Sequence, residues 1–394
     1  MSTSPTRQAT PATHDDVVAT SERVAEVFAR TSADSEALRH LAPEAIETVR
    51  ASGLLSMVAP RSLGGAGLGV RTLAESTRVM AHGCVSSAWA TSFLVLHTWM
   101  LAKMPAAARA DLFAGGAMPL APAPLAPTGT VTPTTDGFVL RGRWEWATSV
   151  HHSDWVLVHA AQTEPEFTTV FAVVPTDQVE IEDVWHTSGM CATGSDAVRI
   201  DDVFVPAHRV VGAAAMLFGG DVIDGDGMAL LPVPQTLALV AASPALGAAE
   251  RAVELFRQRV ASRVLAYSLG DTAIDQASAR MRLGAARAEL AATRALWDAS
   301  IVELDGHAGV GDVPLERRMA LRLAASTIVR SSRRIVNDLA EAAGASVYFT
   351  SSPFQRIQRD LEVLKGHVVF DWDRTTELAG RVALGLPLAP TDMV

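Results

Sequence analysis

Gly137-Phe-Val-Leu-Arg-Gly142, Trp155-Val-Leu-Val-His-Ala160, Thr168-Thr-Val-Phe-Ala-Val-Val174 and Ala197-Val-Arg-Ile-Asp-Asp-Val-Phe-Val205 are short runs rich in β-branched and aromatic residues. Turn-forming residues separate them, so the sequence predicts the strands of a small barrel or sandwich. Just upstream, Pro119, Pro122, Pro124 and Pro127 break any helix. Before those prolines the texture is helical. An alanine-rich pattern covers residues 21–52, a Pro- and Gly-rich loop runs from Pro60 to Gly69, and an apolar stretch from Arg71 to Phe113 reads as two or three helices. After the loop Asp221–Gly227 the helical texture returns and continues to the end. Leu283, Ala286, Leu290, Arg294, Trp297, Ile301 and Leu304 recur at spacings of three and four, as do Leu321, Ala325, Ile328, Ser332, Ile335 and Leu339. Such stripes suit helices packed side by side in a bundle. The expected organisation is mainly α with a central β domain. A helical domain covers residues 1–118 (1–12 disordered), a β domain 119–228 and a helical bundle 229–394.

Composition narrows the function. Of 394 residues, 49% are hydrophobic and 19% charged, with a net charge of −10 and no dense Lys/Arg run. That excludes the electrostatic footprint of a nucleic-acid binder. A mean hydropathy of +0.21 points to apolar surface buried between subunits, so a homo-oligomer is expected. Two cysteines, Cys84 and Cys191, argue against a disulfide framework and suit a reducing compartment. The first twenty residues have no apolar core of a signal peptide. The apolar stretches are interrupted by Pro, Gly or charge, which argues against a membrane span. A cytoplasmic protein without membrane contact is expected.

The segment Gly142-Arg-Trp-Glu-Trp-Ala-Thr-Ser149, followed by His152-Ser-Asp-Trp155, resembles the flavin-contacting strand and turn of the acyl-CoA dehydrogenase superfamily. Asp183-Val-Trp-His-Thr-Ser-Gly-Met-Cys-Ala-Thr-Gly-Ser195, with Asp202-Val-Phe-Val-Pro206, is similar to a second block. Trp89–Trp99, Pro353-Phe-Gln-Arg-Ile-Gln-Arg-Asp360 with His367, and the ending Gly385–Val394 extend the likeness from about residue 45 to the end. Within the superfamily these segments are most similar to two-component flavin monooxygenases that hydroxylate phenols and steroid-derived phenols. The resemblance implies an N-terminal helical domain, a middle β-barrel and a C-terminal four-helix bundle, assembled as a homotetramer. It also implies reduced FMN or FAD, O2 as co-substrate, chemistry through a C4a-hydroperoxyflavin, and a separate NAD(P)H:flavin reductase.

One absence separates reaction types. Acyl-CoA dehydrogenases place a glutamate base eight residues after an Arg-Asp pair. Counted from Arg359-Asp360, that position is Val368, preceded by His367. A valine cannot take the α-proton of a thioester, and the monooxygenase branch has a histidine where His367 stands.

The same resemblance implies roles for particular residues. Thr148 would meet the flavin edge near N5, where a hydroxyl can donate or accept. This turn reads Ala147-Thr148-Ser149 where phenol hydroxylases prefer Ser-Ser-Gly. Trp146 would pack on the isoalloxazine, and Thr193 and Ser195 would hydrogen-bond the flavin or its phosphate. Arg263 would hold the phosphate, often across a subunit interface, through its bidentate fork; otherwise Arg257, Arg259 and Arg263 form a solvated helix face. His367 would act as acid–base on the phenol, since an imidazole titrates near neutral pH. His97 would contact substrate in a pocket shaped by Trp89, Phe93, Met100, Trp185 and Phe370. Arg359 and Asp360 read as a structural ion pair.

Other motifs fail. His151-His152 lacks the partners of a metal site, Asp224–Gly227 lacks the ligand series of a calcium loop, and Gly64–Gly69 is no dinucleotide fingerprint. No metal is therefore expected, and flavin reduction must come from elsewhere. Two alternatives stay open on the same scaffold. One is an N-oxygenase of the amino-sugar type, with Asp371 and Asp373 near His367. The other is a dehydrogenase with its base relocated to Glu250, Glu254 or Glu362.

Overall fold

Helix formation starts at Thr13, whose side chain and that of Asp16 cap each other's backbone in a reciprocal box. A computed structural model describes residues 13–220, 223, 227–265, 268–389, 392 and 394. The expectation of disorder at 1–12, most of the 221–227 loop and part of the 390–393 segment lie outside the described residues. The N-terminal domain comprises α1 (His14–Leu38), α2 (Pro43–Ser52), α3 (Val70–Met80), α4 (Val85–Ala102) and α5 (Ala106–Leu112). Every residue of α4 is buried, as expected of a helix without a polar face.

The predicted β region holds β1 (Gly129–Pro133), β2 (Gly137–Trp144), β3 (Trp155–Gln162), β4 (Thr168–Pro175), β5 (Glu180–Glu182), β6 (Ala197–Pro206) and β7 (Val210–Gly212). They form one sheet in the order β5-β6-β2-β1-β3-β4-β7, antiparallel except for the β1–β3 pair. The two-residue period divides β3 and β4 between two cores. Val156, Val158 and Ala160 join Trp144 and Leu140 in a core of the sheet's own, while Leu157, Phe171 and Val173 join the helical core.

After α6 (Ala213–Phe218) the bundle consists of α7 (Val233–Ser262), α8 (Ala277–Asp305), α9 (Leu315–Ala343), α10 (Pro353–Leu364) and α11 (Trp372–Ala383). The α9 stripe is buried at all six predicted positions. On α8 the buried stripe is narrower, at Ala286, Trp297, Ile301 and Leu304.

Two connections position the site. The proline-rich strap lies along α4, where Thr98 Oγ1 donates to the Pro119 carbonyl at 2.8 Å. The loop after β5 presses on α10 so closely that a Cβ on Gly189 would stand 2.3 Å from the Arg359 carbonyl oxygen. Only glycine fits there.

Candidate functional site

Two loops meet edge to edge between β2 and β6. The Ala147 N–H donates to the Asp196 carbonyl at 2.9 Å, and the Ser149 N–H to the Thr193 carbonyl at 2.8 Å. This zipper brings three of the predicted flavin-binding residues together. Thr148 Oγ1 lies 2.9 Å from Ser195 Oγ, which lies 2.8 Å from Thr193 Oγ1. All three are buried. Trp146 stands at the mouth of the turn, 62% exposed and at φ 62°. A bulky residue is uncommon in that left-handed region, where such backbone costs on the order of 1–3 kcal/mol and concentrates at functional sites.

A wall of aromatic rings follows one face of α4. Trp89, Phe93 and His97 are spaced by four residues and therefore align along the helix. Trp89 stacks on Phe93 at 4.5 Å between centroids, and Phe93 meets His97 edge-on at 5.3 Å. At the other end Trp89 meets His367 at 5.5 Å, and His367 meets Phe370 at 5.8 Å. Met100 is buried in the core that contains this helix. Trp185 is set apart: its Nε1–H donates to the Met190 carbonyl at 3.1 Å, which ties it to the hydroxyl loop rather than to the ring wall.

The two histidines differ from each other in burial and in polarity. Burial lowers His97 to about 4. His367 is pushed in the same direction by the rings of Trp89 and Phe370 packed against it, but the residue is exposed to water, which offsets that push. His97, buried in the core, is neutral near pH 7 because a charged ring would lose its hydration there. His97 Nδ1 lies 2.8 Å from the Ala121 carbonyl, which can only accept, so Nδ1 carries the hydrogen and Nε2 a bare lone pair. His367 Nδ1 instead accepts the Val369 N–H at 3.3 Å, so its hydrogen sits on Nε2.

Arg263 lies with Arg259 at the end of α7, beside a cleft of about 640 Å3 lined also by Gln258, Ser262 and Ser346. Arg263 Nη1 donates to the Ala343 carbonyl at 2.9 Å, and Arg259 Nη2 to Ser346 Oγ at 2.6 Å. Among the described residues neither guanidinium pairs with a carboxylate. Gly344 makes room for Arg263: a Cβ there would stand 2.4 Å from Arg263 Nη2. The segment after Leu265 is partly outside the described residues. Two unpaired guanidiniums at one cleft suit a phosphate, and Arg259 was read from the sequence only as part of a solvated face. No hydrogen bond, ion pair or ring contact among the described residues links this pair to the hydroxyl loop or the ring wall.

Arg359 and Asp360 do not pair with each other. Arg359 reaches Glu36 on α1 at 2.7 Å and the Ser188 carbonyl at 2.6 Å. Asp360 points the other way, and its Oδ1 accepts the Met190 N–H at 2.6 Å. Consecutive helical residues project in different directions, so adjacency in sequence misled. Asp360 Oδ2 is buried without a partner, and burial raises the carboxyl to about 6 against the pull of the Met190 N–H. Asp196 was also missed. It accepts from the Val184 and Trp185 N–H groups at 2.8 Å and lies 2.7 Å from His151 Nε2. Its place directly after Ser195 was the available signal.

None of the three carboxylates considered for a relocated base is free of cationic partners. Burial raises Glu250, but His82, Arg78 and Arg294 surround it and bring it below its ordinary value. Glu254 is held at about 2 by Arg257 and Gln258. Glu362 is raised by burial yet brought to about 2 by Lys365, Asn337 and Arg333. A carboxylate held by cations in this way is disfavoured as a proton acceptor. Asp371, considered for an amine, caps α11 by accepting the Arg374 N–H at 3.0 Å.

Hydroxyls at a buried turn, an aromatic wall with imidazoles at two places along it, and unpaired arginines are groups that suit a flavin and a hydroxylated ring. The comparisons agree. The family model described as acyl-CoA dehydrogenase, C-terminal domain, matches residues 239–372. A pigment production hydroxylase of a Rhodococcus species is 31% identical over 92% of this chain and 94% of its own. The oxygenase component of an FADH2-dependent resorcinol hydroxylase from a Rhizobium species is 28% identical over 92% of each. The solved structure of XiaF from a Streptomyces species, in complex with FADH2 and glycerol, superposes with a TM-score of 0.88 at 27% identity, covering 96% of this chain and 97% of that one. This chain belongs to the acyl-CoA dehydrogenase superfamily, in its branch of flavin-dependent monooxygenase oxygenase components.

No described helix is long and apolar enough to cross a membrane.

Proposed function

We propose that this chain takes reduced FMN or FAD from a separate NAD(P)H:flavin reductase and uses O2 to hydroxylate a phenolic or polycyclic aromatic substrate. One observation carries the reading: His97 and His367, held in opposite hydrogen-bond polarity by the Ala121 carbonyl and the Val369 N–H, flank an aromatic wall where a dehydrogenase would need a carboxylate. Reduced flavin, when bound, supplies the electrons that activate O2. Thr148, Thr193 and Ser195 would lie along its edge, Trp146 would cover its ring, and Arg263 with Arg259 would hold its phosphate, in a homotetramer from a neighbouring copy. Trp89, Phe93 and Phe370 would enclose the substrate ring and exclude water, with Trp185 fixing the loop beside it. His97 Nε2 would accept the hydrogen of the substrate hydroxyl, which makes the ring more electron-rich as that hydrogen is drawn away. His367 Nε2–H would donate to an oxygen on the ring.

The relatives' substrates support the class: resorcinol is a phenol. The test supplies the protein with chemically reduced flavin, 18O2 and a panel of phenols. Incorporation of one labelled oxygen into the ring is expected. Flavin bleaching by an acyl-CoA without O2, and no labelled phenol, would overturn the reading.

A further inference from the structure

The hydroxyls of the flavin edge form a chain whose direction is fixed. The Met190 carbonyl can only accept, so Thr193 Oγ1 donates to it across 2.9 Å. A threonine hydroxyl has a single hydrogen. With that hydrogen committed, the contact between Thr193 and Ser195 must use the hydrogen of Ser195. The contact between Ser195 and Thr148 must then use the hydrogen of Thr148. Thr148 Oγ1 is left with lone pairs only. The anchor is itself held, because Met190 gives its N–H to Asp360 and its carbonyl also takes the Trp185 indole N–H. The backbone zipper between residues 147–149 and 193–196 keeps the three hydroxyls in register.

We propose that Thr193 and Ser195 are positioning residues that make Thr148 a one-way acceptor, so that the site selects dihydroflavin over oxidised flavin. This rests on the reading that the flavin edge lies against Thr148. Dihydroflavin carries an N5–H that a lone pair accepts. Oxidised flavin presents a bare N5, which would face lone pair against lone pair. Donating to it would require the whole chain to reverse, and Thr193 would then face the Met190 carbonyl without a hydrogen. The carbonyl would keep the Trp185 indole N–H and the Thr193 N–H, so reversal costs one hydrogen bond and sets two oxygen lone pairs against each other at 2.9 Å. The device gives a protein that receives its flavin already reduced a physical means of rejecting the oxidised form.

The experiment measures anaerobic binding of reduced and oxidised FMN to the full chain and to Thr193→Val, Ser195→Ala, Thr193→Ser and Thr148→Val, with the midpoint potential of the bound flavin. The wild type is expected to favour reduced flavin. Thr193→Val and Ser195→Ala free the hydrogen of Thr148, and each should lower the preference roughly tenfold, mainly by tightening oxidised flavin. For a two-electron couple that is about 30 mV in the bound potential. Thr193→Ser keeps the anchor and should keep the preference. An unchanged ratio in both Thr193→Val and Ser195→Ala, while Thr148→Val lowers it, overturns the one-way chain and leaves the flavin placement standing. No effect of Thr148→Val on either flavin would overturn the placement as well. Melting curves establish that each variant is folded, and Ser195→Ala carries the test if Thr193→Val is not.

Discussion

The hydroxyl edge and the aromatic wall solve one problem with different chemistry. Hydroxyl and imidazole groups can each donate or accept, and that versatility is a liability where a site must present one polarity. At the edge, the Met190 carbonyl orders three hydroxyls in series. Along the wall, two backbone groups order the imidazoles one at a time, the Ala121 carbonyl for His97 and the Val369 N–H for His367. The series arrangement makes every member matter to the last. The parallel arrangement lets each histidine be altered alone. Side-chain identity thus supplies the reactive group, and the backbone around it decides which way that group points.

The largest effect expected is on the wall. His97→Leu removes the acceptor and should cut ring hydroxylation roughly 10^2- to 10^4-fold, measured as product per O2 consumed. His97→Gln retains a carbonyl oxygen and should fall less. Equal losses in the two would mean that His97 serves packing rather than acceptance, and the contrast between wall and edge would collapse.

The arginine pair sharpens the comparison from outside both walls. Arg263→Ala should weaken FMN binding roughly tenfold to a hundredfold and leave riboflavin, which has no phosphate, unaffected. Equal weakening of both ligands would show that Arg263 supports the fold instead.

Acidification tests the wall through stability. His97 is lowered from 6.5 to about 4, so the folded state binds its proton less readily than the unfolded chain. The stability it contributes is present above pH 6.5 and is lost as pH falls toward 4, on the order of 3 kcal/mol. His97→Leu should flatten that part of the melting-temperature profile.

Asp360 has the opposite sign and the smallest effect. Its pKa is raised from 3.8 to about 6, so its contribution is full below pH 3.8 and is lost as pH rises through 6. Asp360→Asn keeps an oxygen for the Met190 N–H without a buried charge. It should match the wild type near pH 4 and melt a few degrees higher at pH 8. A lower melting point at pH 8 would show that the ionised carboxylate stabilises the loop.

How much of this was legible follows from distance along the chain. Thr148, Thr193 and Ser195 could be singled out as candidates because each lies in a local turn with its own sequence pattern, and the structure brings their hydroxyls together. The order of helices, strands and bundle was legible because period and proline placement are local properties. The misread Arg359-Asp360 pair shows the limit. Glu36 lies over three hundred residues away from its partner Arg359 in sequence and Met190 170 from Asp360, and no neighbouring residue reports either. The contact of His367 with Trp89, 278 residues earlier in the chain, was equally out of reach of local sequence.

The sequence by itself determined the architecture, the residue types available at the candidate site and the valine at position 368 where a dehydrogenase has its base. Only the tertiary structure decided the protonation and direction of those groups. A residue type fixes which hydrogens a side chain has, whereas the carbonyl or amide brought to it by a distant segment fixes where each hydrogen must go.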